Sequence, residues 1–130
     1  MFNRSIVLEE YILDHLKLVC CGCANAVNHA KDMMASKDTI ESVAELFKLC
    51  GDSTRAAVLC ALCHHELCVC DLASVVGMSS SAVSHQLRLL KQNGIVASRR
   101  DGKEMIYFIE NKHVEEIFNF AIKYTEECNV

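Results

Sequence analysis

Apolar residues recur at helical spacing along most of the chain, in segments separated by short polar breaks. The first segment covers residues 6–19 and a second continues over 24–34, with Gly22 and three cysteines at the break between them. Two more segments run over about 38–50 and 52–63. Side chains that repeat every three to four residues lie on one face of an α-helix. The pattern therefore predicts a mainly helical chain that begins with an interrupted helix.

A helix, a tight turn and a second helix are predicted next. The first helix covers about 68–76 and ends at Gly77, a residue type that adopts the left-handed backbone of a helix stop at little cost. The second helix covers about 80–93, with apolar residues at i, i+4 and i+7 and small polar residues on the opposite face. This arrangement is typical of a helix-turn-helix.

Two short segments after the second helix have the composition of β-strands. Residues 95–100 and 104–109 flank the Asp101-Gly102 pair, which favours a tight hairpin turn. A last helical pattern covers 111–127. A helix-turn-helix followed by a hairpin is the element order of a winged helix-turn-helix.

The expected fold class is mainly α with a small β-hairpin. Residues 38–130 are predicted to form the winged helix-turn-helix domain and its C-terminal dimerisation helix. Residues 1–37 are predicted to form an N-terminal helical arm that carries a cysteine cluster.

Charge is distributed unevenly along the chain. Its 130 residues include 13 basic and 17 acidic side chains, a net charge of -4, whereas residues 79–103 carry five basic and one acidic. A localised basic surface on an acidic protein is typical of contact with DNA phosphates. The DNA-binding residues expected from this window are Ser79, Ser80, Ser81, Ser84, His85, Gln86, Arg88 and Lys91 around the second helix, and Arg99, Arg100 and Lys103 around the hairpin turn.

These residue types suit the two parts of a DNA-reading element. Small polar residues at the start of a recognition helix let its backbone approach phosphates and base edges in the major groove. Cations on a hairpin can reach the DNA backbone or the minor groove. A helix-turn-helix that binds protein, with the serines serving only as a capped turn, is the alternative.

Nine cysteines are present, and two of them fall at the start of the first helix of the motif. At Cys68 and Cys70 the helix dipole favours thiolate, and the backbone is free to turn both sulfurs inward. A soft or borderline cation needs one or two more thiolate ligands than this pair supplies. We expect them from Cys20, Cys21 and Cys23.

Two further cysteines, Cys60 and Cys63, have C-x2-C spacing. They could complete a local zinc site with Cys68 and Cys70, but their helix must bury a face, so core packing is the preferred interpretation. Burial without any metal role is the alternative for Cys68 and Cys70 as well.

The thiols also bear on localisation. They form no regular disulfide framework, and acidic residues interrupt the N-terminal segment where a secretory signal needs an apolar core. No run of 18 apolar residues is present. We therefore expect a cytoplasmic protein with reduced thiols and no membrane partner.

Three segments together resemble the ArsR/SmtB family of metal-sensing winged-helix repressors. They are ELCVCDLA, SSSAVSHQLRLLKQNGIV and RRDGKEMIYFI, and the resemblance covers roughly residues 43–125. It implies a homodimer, joined through N- and C-terminal helices, that binds double-stranded operator DNA when metal-free. It further implies release of the DNA when metal binds, so that metal efflux or detoxification genes are transcribed.

The cadmium- and lead-responsive branch of that family pairs the C-V-C thiols with thiols of an N-terminal arm, often the partner subunit's. This similarity makes cadmium, lead or zinc the expected effector. The arsenite-responsive branch has a third thiol where this chain has Ala73, which disfavours an arsenite site built wholly within the helix, although an arsenite-responsive repressor stays an alternative. A second family site, on the C-terminal helices, keeps ligand chemistry here only at His113 and Glu127, since Asn111 and Tyr124 occupy its other positions. We expect it to be degraded or silent.

Other functions stay open at this stage. In the same fold, an oxidative trigger could bridge the thiols through a disulfide or polysulfide in place of a metal. A thiol oxidoreductase or metal-storage protein would leave the basic hairpin unexplained, and no C-x2-C lies in a strand-to-helix setting. No enzyme activity is therefore expected.

Overall fold

The computed structural model describes residues 24–128. In chain order its elements are α1 (Ala24–Met33), α2 (Lys37–Cys50), α3 (Ser53–His64), β1 (Leu67–Cys68), α4 (Val69–Val76), α5 (Ser80–Gln92), β2 (Val96–Asp101), β3 (Glu104–Ile109) and α6 (Lys112–Cys128). The predicted first helix over 6–19 and the thiols Cys20, Cys21 and Cys23 lie outside the described residues. Within the described part of the chain, no helix has the length and apolar character needed to cross a membrane.

The described residues fall into two compact units that divide within α2, between Glu41 and Ser42. The first unit contains α1 and the beginning of α2, where the Ser36 hydroxyl accepts a hydrogen bond from the Thr39 N–H at 3.1 Å. Such a bond satisfies a donor that the helix start leaves unpaired. The second unit contains all later elements. The arm-to-domain boundary proposed at residue 38 stays a prediction.

The core of the second unit lies where α3, α4 and α5 meet. Leu59, Leu72 and Leu87, one from each helix, are completely buried. Each such leucine contributes roughly 1.5–3 kcal/mol through burial of its side chain. Val83 and Leu90 of α5 are also completely buried, so the apolar face of this helix is committed to the core and its opposite face is left to solvent.

The turn between α4 and α5 is closed by local hydrogen bonds. Gly77 takes the left-handed backbone (φ 68°, ψ 37°) at the end of α4, and the Met78 N–H donates to the Ala73 carbonyl at 3.1 Å. The Ser79 hydroxyl accepts from the Ala82 N–H at 3.2 Å and caps α5. The helix stop and the helix start predicted from the sequence are confirmed.

The hairpin belongs to a three-stranded antiparallel sheet with the order β1-β3-β2. β2 and β3 pair along their length, and Gly102 (φ 62°) lies in the predicted turn. The third strand, β1, was not predicted. The sequence started the helix at about Cys68, and Cys68 is indeed the N-cap of α4, which begins at Val69; its backbone is extended (φ −79°, ψ 170°) and pairs with Ile106.

Candidate DNA-reading surface and thiol site

The predicted DNA-binding residues around α5 lie mostly on its exposed face. Those that are exposed are Ser79, Ser80, Ser81, Ser84, His85, Arg88 and Lys91. Gln86 differs because it is half-buried, and its Oε1 accepts a hydrogen bond from Arg55 Nη1 at 3.4 Å. The exposed surface begins with small polar groups at the helix N-terminus and continues to cations, a distribution that suits entry into a major groove.

The three predicted cations of the hairpin, Arg99, Arg100 and Lys103, are also exposed. Arg99 is engaged within the protein: its Nη2 lies 2.5 Å from Glu66 Oε2, and its guanidinium lies 5.5 Å from the centre of the Phe108 ring. The hydrogen bond to Glu66 raises the pKa of Arg99 above its ordinary value. The hairpin therefore presents three cations, one of which already holds an internal anion.

Two side chains tie the recognition helix α5 to its neighbours. Arg55 of α3 donates from Nε to the Leu49 carbonyl of α2 at 2.6 Å, and its Nη1 donates to Gln86 Oε1 of α5. Lys91 Nζ donates to Ser98 Oγ of β2 at 2.6 Å. Sequence reasoning missed Arg55, because a single arginine on a helix resembles a solvated charge until its contacts are known.

The two thiols at the start of α4 have different surroundings. Cys68 is 6% exposed, whereas Cys70 is exposed. The expectation that both sulfurs turn inward is not met in this conformation, since Cys68 ends strand β1 and Cys70 lies in the first turn of α4. The two thiols therefore lie in different environments, one covered by the domain and the other open to solvent.

The surroundings of Cys68 raise the pKa of its thiol. Cys68 makes no side-chain capping hydrogen bond, but the nearby Asp71 N–H is the largest influence on its pKa and lowers it. Burial, the Asp71 carboxylate and the Glu104 carboxylate all act the other way, and the net pKa is raised. Burial and the two carboxylates therefore act against the thiolate that the helix start is expected to favour, and a cation that binds a thiol here displaces its proton.

The described residues supply only part of a metal site. Among residues 24–128, no group of three His, Cys, Asp or Glu side chains is placed to hold one ion. Cys68 and Cys70 fit a thiophilic cation by donor chemistry. Further ligands would have to come from elsewhere, and the predicted donors, Cys20, Cys21 and Cys23, lie outside the described residues.

Cys60 and Cys63 are half-buried on α3. Burial raises the pKa of the Cys63 thiol to about 11, with the negative charges of Glu115 and Cys60 adding to the effect. Burial likewise raises the pKa of Cys50, which Arg55 partly offsets. Among the described residues these thiols belong to no group of three potential ligands, and Cys50 and Cys63 are partly buried, which favours core packing over the local zinc site.

The two residues that match the family's second site stand near opposite ends of α6. At a rise of 1.5 Å per residue, His113 and Glu127 are about 21 Å apart and cannot share an ion within one chain. His113 Nδ1 lies 3.5 Å from Glu116 Oε2, and Lys123 Nζ lies 3.8 Å from Glu127 Oε1. Both residues are therefore engaged in contacts along their own helix.

An apolar groove of about 200 Å³ runs between the C-terminal half of α2 and α6. It is lined by Leu46, Phe47, Cys50, Gly51, Val114, Ile117, Phe118 and Ala121. Beside it, Phe120 and Tyr124 of α6 are 73% and 53% exposed. Contiguous apolar surface of this kind marks an interaction site.

The tight turn between α4 and α5, the polar face of α5 and the basic hairpin define a winged helix-turn-helix protein of the DNA-binding class. Residues 52–98 match the family described as bacterial regulatory protein, arsR family. The cadmium resistance transcriptional regulatory protein CadC of Listeria innocua is 38% identical over 110 residues, 84% of this chain and 92% of that protein. The chain belongs to the ArsR family.

A second relative and a solved structure agree with this assignment. The transcriptional repressor SmtB homolog of Synechocystis is 36% identical over 127 residues, 98% of this chain and 90% of that protein. The homodimeric winged helix-turn-helix DNA-binding domain Mb0332 from Mycobacterium bovis, a possible ArsR-family regulator, superimposes with a TM-score of 0.64 at 26% identity. The matched region covers 73% of this chain and 91% of the Mycobacterium bovis chain. The predicted fold class is confirmed.

Replacing Arg55 by alanine should lower the free energy of unfolding by about 1.5–3 kcal/mol, because a charged hydrogen bond to the Leu49 carbonyl is lost. Urea denaturation followed by circular dichroism measures the change. Arg88→Ala is the matched control: it removes an exposed arginine from α5 and should alter stability by less than about 0.5 kcal/mol. Equal stability of the two variants would contradict the role given to Arg55.

Proposed function

We propose that this chain is a metal-responsive transcriptional repressor that binds operator DNA as a metal-free homodimer and releases it when a thiophilic cation binds. The observation that carries the proposal is the position of Cys68, which ends a strand of the wing sheet and directly precedes the first helix of the helix-turn-helix. The relatives named for cadmium resistance and as a repressor support the same function. Its place of action is the cytoplasm, where DNA and reduced thiols coexist.

The exposed face of α5 is the part that reads DNA in this proposal. Serines at its N-terminus approach phosphates and base edges, and Arg88 and Lys91 contact the backbone further along. Arg100 and Lys103 lie on the wing, the hairpin of β2 and β3, and contact the DNA phosphates or the minor groove beside the major groove that α5 enters. Two such surfaces in a dimer bind successive major grooves of a pseudo-palindromic site.

Cys68 and Cys70 are the effector ligands, joined by one or two thiols from among Cys20, Cys21 and Cys23. Cadmium, lead or zinc is the effector class, because thiolate donors select soft and borderline cations. Ligation needs the Cys68 sulfur to lose its proton and to leave the cover of the sheet. The energy for DNA release comes from the difference in metal affinity between the free and the DNA-bound dimer. A shift of the ratio of free to DNA-bound dimer from 1:99 to 99:1 takes about 5.5 kcal/mol.

An oxidative trigger is disfavoured by the state of Cys68. Oxidation begins from an accessible thiol; Cys70 is exposed, but Cys68, the other member of the pair, is buried and its pKa is raised. A metal ion can overcome the same pKa by displacing the proton as it binds. An arsenite site built wholly within this helix would need a third thiol there, and Ala73 stands where the arsenite-responsive branch has one.

The variant Cys68→Ser/Cys70→Ser should bind promoter DNA with affinity close to that of the wild type and should no longer be released by cadmium, because its two proposed ligands are gone. Fluorescence anisotropy on labelled DNA reads both properties. Cys128→Ser, which removes an exposed thiol from the end of α6, is the control and should respond as the wild type does.

Two results would contradict the sensing account. One is unchanged cadmium release in the double serine variant, which would place the site elsewhere. The other is unfolding of that variant, seen by circular dichroism, which would make the thiols structural.

The dimer in this proposal is formed through the groove between α2 and α6 and the exposed face of α6. The homodimeric Mycobacterium bovis neighbour supports such an assembly. Phe120→Asp should convert the dimer to a monomer, because it buries a charge in an apolar interface. Sedimentation velocity measures the mass, and Val75→Asp, at a 64% exposed apolar site on α4, is the control. A Phe120→Asp protein that stays dimeric would exclude this interface.

A further inference from the structure

The sheet places the proposed effector thiol and a wing arginine in one row. Ile106 of β3 is the partner of Cys68 in β1 on one side and of Arg99 in β2 on the other. Residues directly opposite each other in an antiparallel sheet point to the same face. Cys68 and Arg99 are therefore two strands apart in one three-residue row, although they are 31 residues apart along the chain.

A side-chain contact joins the same two segments. Glu66, two residues before Cys68, pairs with Arg99 at 2.5 Å, and both side chains are about half exposed. The ring of Phe108, on the same face of β3 as Ile106, lies under the guanidinium. The segment that carries Cys68 thus forms an ion pair, through Glu66, with Arg99, one of the three cations of the hairpin.

We propose that Glu66 is an internal competitor of DNA phosphate for Arg99, and that its attachment to β1 places this competition under the control of the effector thiols. A carboxylate and a phosphate each present two oxygens that accept paired hydrogen bonds from the N–H groups of a planar guanidinium. Arg99 therefore gives up Glu66 when it takes a phosphate. Glu66 acts through Arg99 and contacts no DNA itself.

The regulatory half of this inference rests on the proposed function. β1 is an edge strand of two residues, paired only with β3, so little sheet structure resists its movement. When Cys68 leaves its buried position to bind a cation, β1 moves with it, and Glu66 draws Arg99 away from the phosphate. The wing loses a DNA contact at the same time as the thiol site is filled.

The test of the competition is the salt dependence of DNA binding. Glu66→Gln frees Arg99 to contact DNA. The plot of the logarithm of the DNA-binding constant against the logarithm of the salt concentration should therefore be steeper for this variant, by about 0.9 for each wing on DNA. Its affinity advantage over the wild type should grow about 3.5-fold per wing as salt falls from 200 to 50 mM. The control Glu110→Gln removes an equal charge from an exposed residue just after β3 and should give a smaller change.

The same Glu66→Gln substitution in an Arg99→Gln protein distinguishes an effect that acts through Arg99 from the general effect of removing a negative charge. If Glu66 acts through Arg99, then Glu66→Gln in an Arg99→Gln protein should change the affinity and the salt slope no more than Glu110→Gln does. A larger gain that persists in that background, or a Glu66→Gln protein indistinguishable from Glu110→Gln, overturns the competition.

The test of regulation is the ratio of DNA dissociation constants with and without cadmium. This ratio should be at least about twofold smaller in Glu66→Gln than in the wild type, because the wing contact no longer follows the thiol site. An unchanged ratio overturns the regulatory link. Wild-type protein that binds DNA but ignores every thiophilic cation contradicts the proposed sensing function instead, while the salt measurements still decide the competition at Arg99. Wild-type protein that does not bind DNA contradicts both proposals.

Discussion

The packing of α5 against α3 and α4 is the interaction on which the rest of the structure depends. Val83, Leu87 and Leu90 are completely buried, and turning the helix about its axis would expose them at a cost of roughly 1.5–3 kcal/mol each. This burial fixes which face of α5 meets solvent, and that face carries the serines, His85 and Arg88. The surface proposed to read DNA is thus specified by the apolar residues behind it.

The strand β1 connects this surface to the thiols. Cys68 closes the strand and stands at the N-terminal cap of α4, so one residue belongs to both the wing sheet and the helix-turn-helix. In the proposed function, ligation at this position acts on both parts without a long chain of contacts. The ion pair between Glu66 and Arg99 is a second link between the same parts. Because Cys68 is buried at this junction, a proposed effector that binds it acts on a packed part of the domain.

The helices and the hairpin were predictable because their signals are local. Gly77 after an apolar repeat and the Asp101-Gly102 pair between strand-like segments lead to the observed helix stop and turn. Strand β1 was not predictable, since its two residues depend on partners in β3 almost 40 positions away. The same non-local pairing turns Cys68 inward and leaves Cys70 exposed, against the expectation for a helix start. The contacts of Arg55 likewise needed the packed structure. The family came from three motifs that are contiguous in sequence, and the comparisons support it.

The most direct test of the central claim is fluorescence anisotropy of the reduced wild-type protein on labelled DNA from its own promoter. Cadmium, lead, zinc and arsenite are each titrated in the absence of oxygen. A metal-sensing repressor should bind tightly without metal and be released by a thiophilic divalent cation at about one equivalent per subunit, as expected for one thiolate site in each chain. Tight binding that no metal alters would contradict the sensing claim, and absence of binding would contradict the repressor itself.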